Sequence, residues 1–122
     1  MNILETIIER KKAEVVENKK AVSVKTLESS PFFSRVPLPL TGFLLDAGKT
    51  GIIAEFKRRS PSKGVINADA DVAAITSAYV HHGASGLSVL TDQDFFGGSN
   101  ADLIAARSNR APILRNSSAR PS

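Results

Sequence analysis

The sequence contains no cysteine, which removes disulfides, thiolate zinc sites and thiol nucleophiles and suits a reducing cytoplasm. No run approaches the roughly 18 consecutive apolar residues of a membrane span. The N-terminus interleaves Glu5 and Glu9 among Ile3, Leu4, Ile7 and Ile8, so it lacks the unbroken apolar stretch of a secretory signal. A cytoplasmic protein without a membrane partner is expected. Aromatic residues make up only 6% and do not interleave with the basic residues Arg107, Arg110, Arg115 and Arg120, so nucleic acid is not an expected partner.

What is present is ordinary globular usage: 42% hydrophobic and 23% charged residues among 122 predict a folded core over most of the chain. The net charge of +4 (16 basic against 12 acidic residues) favours anionic partners in general, a phosphorylated metabolite among them.

Residues 2 to about 20 place Ile3, Leu4, Ile7, Ile8, Val15 and Val16 at near-helical spacing, and Asn2 with Glu5 forms a capping-box pattern. A short second helix is expected near Ser23 to Glu28. From Ser29 to Thr41, Pro31, Pro37 and Pro39 each remove a backbone donor and predict an extended prolyl connector. Residues 1–46 are thus read as a helical extension with its connector. Beyond Gly51 the run Ile52 to Lys57 reads as a strand, closed by the turn signal Ser60-Pro61-Ser62-Lys63-Gly64. Asp69 or Asp71 can cap a helix with Val72, Ile75, Ala78 and Tyr79 on one face, ending at Gly83. A strand at Leu87 to Thr91, a helix capped by Ser99 and a strand at Ala111 to Arg115 follow. Strand starts about 25 to 35 residues apart predict repeated βαβ units with a parallel sheet. The closing stretch, residues 116–122, has almost no apolar surface and is read as a disordered tail.

Glu55 and Lys57 stand two apart on a strand, so both side chains project to the face shared with Ile53, while Ile52, Ala54 and Phe56 form an apolar face suited to packing against helices. This places the charged pair on the inner face near the strand's C-terminal end. Two readings stand: a carboxylate and an ammonium orienting a reacting group in a partly desolvated pocket, or a solvated pair on a sheet rim. Ser60 to Gly64 supplies hydroxyls and a cation just beyond that end, as an anion-contact loop or as an ordinary turn. Phe95-Phe96-Gly97-Gly98 lies at the same end of the next strand, as a cover for a ring substrate or as core. Gly48-Lys49-Thr50 is not a nucleotide loop, because Phe43 stands where the first glycine is required. His81-His82 are adjacent on a helix and point apart, so they read as helix-end histidines and no metal site is predicted.

The segment Ile53-Ala54-Glu55-Phe56-Lys57-Arg58-Arg59-Ser60-Pro61-Ser62-Lys63-Gly64 resembles the signature of indole-3-glycerol-phosphate synthases. Leu87-Ser88-Val89-Leu90-Thr91-Asp92, Phe95-Phe96-Gly97-Gly98-Ser99 and Ala111-Pro112-Ile113-Leu114-Arg115 reinforce it in order and spacing. The resemblance implies a (β/α)8 TIM barrel of α/β class with an N-terminal helical extension. It implies a carbon-carbon lyase of tryptophan biosynthesis that decarboxylates and dehydrates 1-(2-carboxyphenylamino)-1-deoxyribulose 5-phosphate, closing the indole ring without a cofactor. By motif position, Glu55 would orient the reacting groups, Lys57 would direct positive charge at the substrate, Ser60 would lie near its carboxylate, and Phe96 would pack on its aromatic ring.

Against a barrel of roughly 250 residues, residues 47–115 supply about three strands, so an incomplete barrel is expected, ended by a frameshift, a premature stop or a cloning boundary. The family's third strand continues with Lys-Asp-Phe, whose lysine is the general acid, whereas this chain has Asn116-Ser117-Ser118, and an amide does not donate a proton as an ammonium does. The general-base glutamate and the phosphate site are expected on later strands. The expectation is therefore a chain inactive by itself, prone to self-association through open sheet edges. The alternative is a non-catalytic half-barrel that binds a phosphorylated ligand or a complementary barrel fragment.

Overall fold

A computed structural model describes residues 2–117. Of the tail expected to be disordered, Asn116 instead ends a strand, paired in register with Leu90, and the residues from 118 onward lie outside those described. Two compact units meet in sequence between Pro37 and Leu38.

The first unit holds α1 (Ile3–Ala21) and α2 (Val24–Glu28). The amide of Glu5 donates to Asn2 Oδ1 at 2.8 Å and the amide of Asn2 to Glu5 Oε2 at 3.3 Å, the reciprocal capping predicted from their spacing. Lys19 and Lys20 occupy the last turn, where cations suit the helix dipole. Ser23 caps α2, its hydroxyl accepting from the amide of Thr26 at 3.1 Å. Residues 31–34 form a turn, not the extended chain the prolines suggested.

The second unit opens with α3 (Leu40–Leu45), a helix that the sequence reading folded into the connector. Pro39 is the reason it starts there. Proline lacks an amide hydrogen, but the amides at a helix start have no intrahelical acceptor anyway, so nothing is lost, and the carbonyl of Pro39 takes the amide of Phe43 at 3.4 Å. The connector thus ends at Pro39, not Thr41.

There follow β1 (Ile53–Phe56), a hairpin of β2 (Arg59–Ser60) and β3 (Gly64–Val65), α4 (Val72–His81), β4 (Gly86–Leu90), α5 (Asn100–Ala106) and β5 (Ile113–Asn116). The sheet order is β1-β4-β5, all parallel, as the βαβ spacing predicts, with α4 and α5 as crossovers. Every residue of β4 is buried, as befits the central strand of a parallel sheet. Of the two cap candidates for α4, Asp71 is used, accepting from the amide of Ala74 at 3.2 Å.

The core lies on the helix side of the sheet, where Phe56, Val72, Val89 and Ala106 pack with Ile75, Leu103 and Ile113. Burying each of the larger side chains contributes about 1.5 to 3 kcal/mol. Ile52 differs from the expectation that it packs against helices. It precedes β1, is 59% exposed and borders an apolar trough of about 260 Å³ beside Ala54, Ala78 and Tyr79. On the opposite side of the sheet Gly86 approaches Leu40 so closely that a Cβ there would lie 2.8 Å from Leu40 Cδ1. Helix α3 therefore fills the N-terminal end of that inner face, and the free space is at the strands' C-terminal ends. Among the described residues, no helix is long and apolar enough to cross a membrane.

Candidate active site

Strand alternation determines what reaches the inner face. Glu55 pairs in register with Ser88, and Ser88 with Leu114; one step on along the same face, Leu90 pairs with Asn116. The inner face thus presents Glu55, Ser88, Leu114 and Asn116, with Lys57 following immediately after β1. Lys57 Nζ lies 3.2 Å from Glu55 Oε1, and the hydroxyl of Ser88 donates to Glu55 Oε2 at 3.4 Å. Both oxygens of one carboxylate are engaged from different directions, so its plane is set. The side chains of Lys57 and Glu55 remain 36% and 39% exposed. At that exposure an ion pair adds at most about 1 kcal/mol to stability.

The next residues turn away. Arg58 falls on the helix side, its guanidinium 5.2 Å from the centre of the Phe56 ring. Ser60 ends β2, and its hydroxyl accepts from the amide of Lys63 at 3.2 Å, which closes the hairpin turn. Ser60 is half-buried in that turn, the segment that the sequence reads either as an anion-contact loop or as an ordinary turn.

Phe96 is carried by the loop after β4. Asp92 Oδ2 accepts from the amides of Phe95 and Phe96 at 2.7 and 3.2 Å, and the amide of Gly98 donates to the carbonyl of Asp92 at 2.7 Å. This loop is stitched to the one after β1: the amide of Arg59 donates to the carbonyl of Phe96 at 3.3 Å, and Arg59 Nη2 donates to the carbonyls of Gln93 and Asp94 at 2.9 and 2.7 Å. Phe96 is 8% exposed. Glu55 and Lys57 are thus brought together directly, while Ser60 and Phe96 stand on two loops joined through Arg59 and Phe96.

Sequence reasoning did not bring Ser88, Arg58 or Asp102 into the site. Ser88 has a readable signal, a lone hydroxyl in an otherwise apolar strand. The pairing of Arg58 with Asp102 has none, because they are 44 residues apart and only folding joins them. His82 Nδ1 lies 2.8 Å from the carbonyl of Ala78, the helix-end placement expected of it.

The family model for indole-3-glycerol phosphate synthase matches residues 4–116. The chain is 45% identical over 116 residues to the indole-3-glycerol phosphate synthase of Bacteroides thetaiotaomicron, covering 93% of this chain and 44% of that protein. It is 42% identical over 117 residues to that of Parafrankia sp., with 94% and 43% covered, and 42% identical over 118 residues to that of Laribacter hongkongensis, with 93% and 45% covered. The chain spans under half the length of these curated relatives. Its three parallel strands, crossover helices and N-terminal helix are an incomplete (β/α)8 TIM barrel, and a charged pair at the C-terminal strand end is where such barrels hold their chemistry. By sequence and by fold, the chain belongs to the indole-3-glycerol phosphate synthase family.

Proposed function

We propose that this chain carries the opening part of an indole-3-glycerol phosphate synthase site, in the cytoplasm, and that it holds 1-(2-carboxyphenylamino)-1-deoxyribulose 5-phosphate without converting it unaided. The observation that carries the reading is the Glu55–Lys57 pair on the inner face, with Ser88 fixing the carboxylate. In the reaction a carbon of the benzoate ring bonds to the ketone carbon of the sugar chain, the carboxyl group leaves as carbon dioxide, and the ketone oxygen leaves as water. Glu55 orients the reacting carbons, Lys57 directs its ammonium at the substrate's negative charge, Ser60 lies near the carboxylate, and Phe96 borders the aromatic ring. Losing the ketone oxygen as water requires a proton donor beside that oxygen and release of a proton from the neighbouring carbon. Asn116, in register with Leu90 on the inner face of the sheet, has an amide where the family has an ammonium.

The same observation favours a second reading, a non-catalytic chain that binds a phosphorylated ligand or a complementary barrel fragment, in keeping with the exposure of Ile53 (39%) and Leu114 (44%) on the two outer strands. Self-association through those strands belongs to it. The test is to mix purified chain with substrate while following the fluorescence of its benzoate ring and the appearance of indole absorbance. Saturable binding without indole formation is expected. Turnover by this chain alone would overturn the inactivity, and absence of binding would overturn the substrate assignment.

A further inference from the structure

Arg58 is hydrogen-bonded through both its backbone carbonyl and its guanidinium. Its carbonyl accepts from the amides of Ile66 and Asn67 at 2.8 and 3.0 Å. Its Nη1 donates to the carbonyls of Ala68 and Ala70 at 2.8 and 2.9 Å, and its Nε and Nη2 donate to Asp102 Oδ2 and Oδ1 at 3.0 and 2.9 Å. The bidentate pair is largely buried, with side-chain exposures of 18% and 10%. Asp102 is itself fixed at the start of α5, its amide donating to Ser99 Oγ at 3.2 Å.

One residue therefore ties the end of β1, the far half of the loop 59–70 and the first turn of α5. The loop between those anchors carries Ser60 and Lys63, and the residue before Arg58 is Lys57. A largely buried guanidinium whose three nitrogens each donate to an acceptor leaves its neighbours little freedom. The hydrogen bonds it donates to the Asp102 carboxylate also raise its pKa above the ordinary guanidinium value, against the lowering effect of burial.

We propose that Arg58 is a positioning residue: it touches no substrate, and by clamping the loop 59–70 to α5 it holds Lys57 opposite Glu55 and presents Ser60 at the mouth of the site. The inference rests on the reading of the site as one for a benzoate-bearing substrate. A bare structural staple would account for the ion pair alone. It would not account for four further bonds concentrated on the loop that bears Ser60 and Lys63.

The experiment uses the whole chain, hydrogen exchange over residues 59–70, and 2-(methylamino)benzoate as a fluorescent probe. Wild type should show slow exchange at the amides of Ile66 and Asn67 and should bind the probe. Arg58→Ala keeps the carbonyl that holds those two amides but loses the side-chain bonds to Ala68, Ala70 and Asp102, so it should speed their exchange through a loosened loop and weaken the probe by about tenfold, the loss expected of charge-assisted hydrogen bonds. Millimolar ethylguanidinium should restore both, and urea should restore neither. Asp102→Asn, milder because its amide oxygen still accepts one of the two hydrogen bonds from Arg58, should loosen the same amides and weaken the probe in the same direction. Unchanged probe affinity in both variants, or a wild-type loop exchanging like an unstructured peptide, overturns the proposal. A wild-type loop that is protected and loosened by Arg58→Ala in a chain that binds no probe overturns the substrate reading, not the clamp.

Discussion

The carbonyl of Gly83 accepts twice from Thr50, from its amide at 3.0 Å and from its hydroxyl at 2.8 Å. Gly83 sits at φ +97°, just past the C-cap of α4, and a Cβ on it would come within 3.1 Å of Thr50 Cγ2. The end of α4 is thereby fastened to the approach into β1. Gly83→Ala should destabilise the chain by about 1 to 3 kcal/mol, from backbone strain with a tight contact added. Urea unfolding followed by far-UV circular dichroism reads the loss, and an unchanged midpoint would contradict it.

Gly98 isolates the steric effect from the conformational one. Its φ is not in the left-handed region, yet a Cβ there would fall 1.9 Å from the carbonyl oxygen of Leu90, which is backbone of the central strand. Gly64 is the converse, with φ +67° and open space around it. Gly98→Ala should cost more than about 3 kcal/mol, because a strand must move, whereas Gly64→Ala should cost about 1 kcal/mol from strain alone. Parallel thermal melts settle the order, and Gly64→Ala as the worse variant would refute it.

Thr76 is fully buried, its hydroxyl donating to the carbonyl of Val72 at 2.7 Å and accepting from Asn109 Nδ2 at 3.0 Å. Thr76→Val keeps the shape and removes the acceptor. The expected loss is about 1 to 3 kcal/mol, since the amide of Asn109 retains only its 3.0 Å bond to the carbonyl of Ala106. Asn109→Ala in the Thr76→Val background should then add less than it does in wild type; strict additivity of the two unfolding free energies would argue against the coupling.

Glu55→Gln keeps the hydrogen bond from Ser88 and removes the charge facing Lys57. Stability should change by less than about 1 kcal/mol, because the pair is over a third exposed. Affinity for an anionic benzoate probe should rise, because Lys57 loses its internal counter-charge. Asn116→Lys should raise that affinity further by adding an ammonium to the same face. Fluorescence titration at two salt concentrations measures both changes, and weaker binding by either variant would overturn the placement of these groups on one face.

The pH dependence of the Arg58 clamp has a definite sign. A group whose folded pKa is raised stabilises fully below its unfolded pKa, here the already strongly alkaline value of a free guanidinium, and the effect is lost only as pH rises through the still higher folded value. The difference in unfolding free energy between wild type and Arg58→Gln should therefore not decline through deprotonation of Arg58 between about pH 7 and 10. A decline that tracks alkaline titration of a guanidinium in that range would disprove the assignment.

Much of this protein was legible in the residues themselves, because the relevant physics acts over three or four positions. The Asn2–Glu5 box, the Ser23, Asp71 and Ser99 caps, the three parallel strands and the shared side of Glu55 and Lys57 follow from local spacing, as does the family signature around them. Helix α3 was missed because prolines 37 and 39 mask a start that proline permits. The tertiary structure alone decided that Ser88 steadies Glu55, that Asn116 faces the same space, that Leu40 closes the other end, and that Arg58 finds Asp102. Each of these joins residues far apart in sequence through strand register or helix placement, and register is set by the collective packing of the sheet, which no short window of sequence contains.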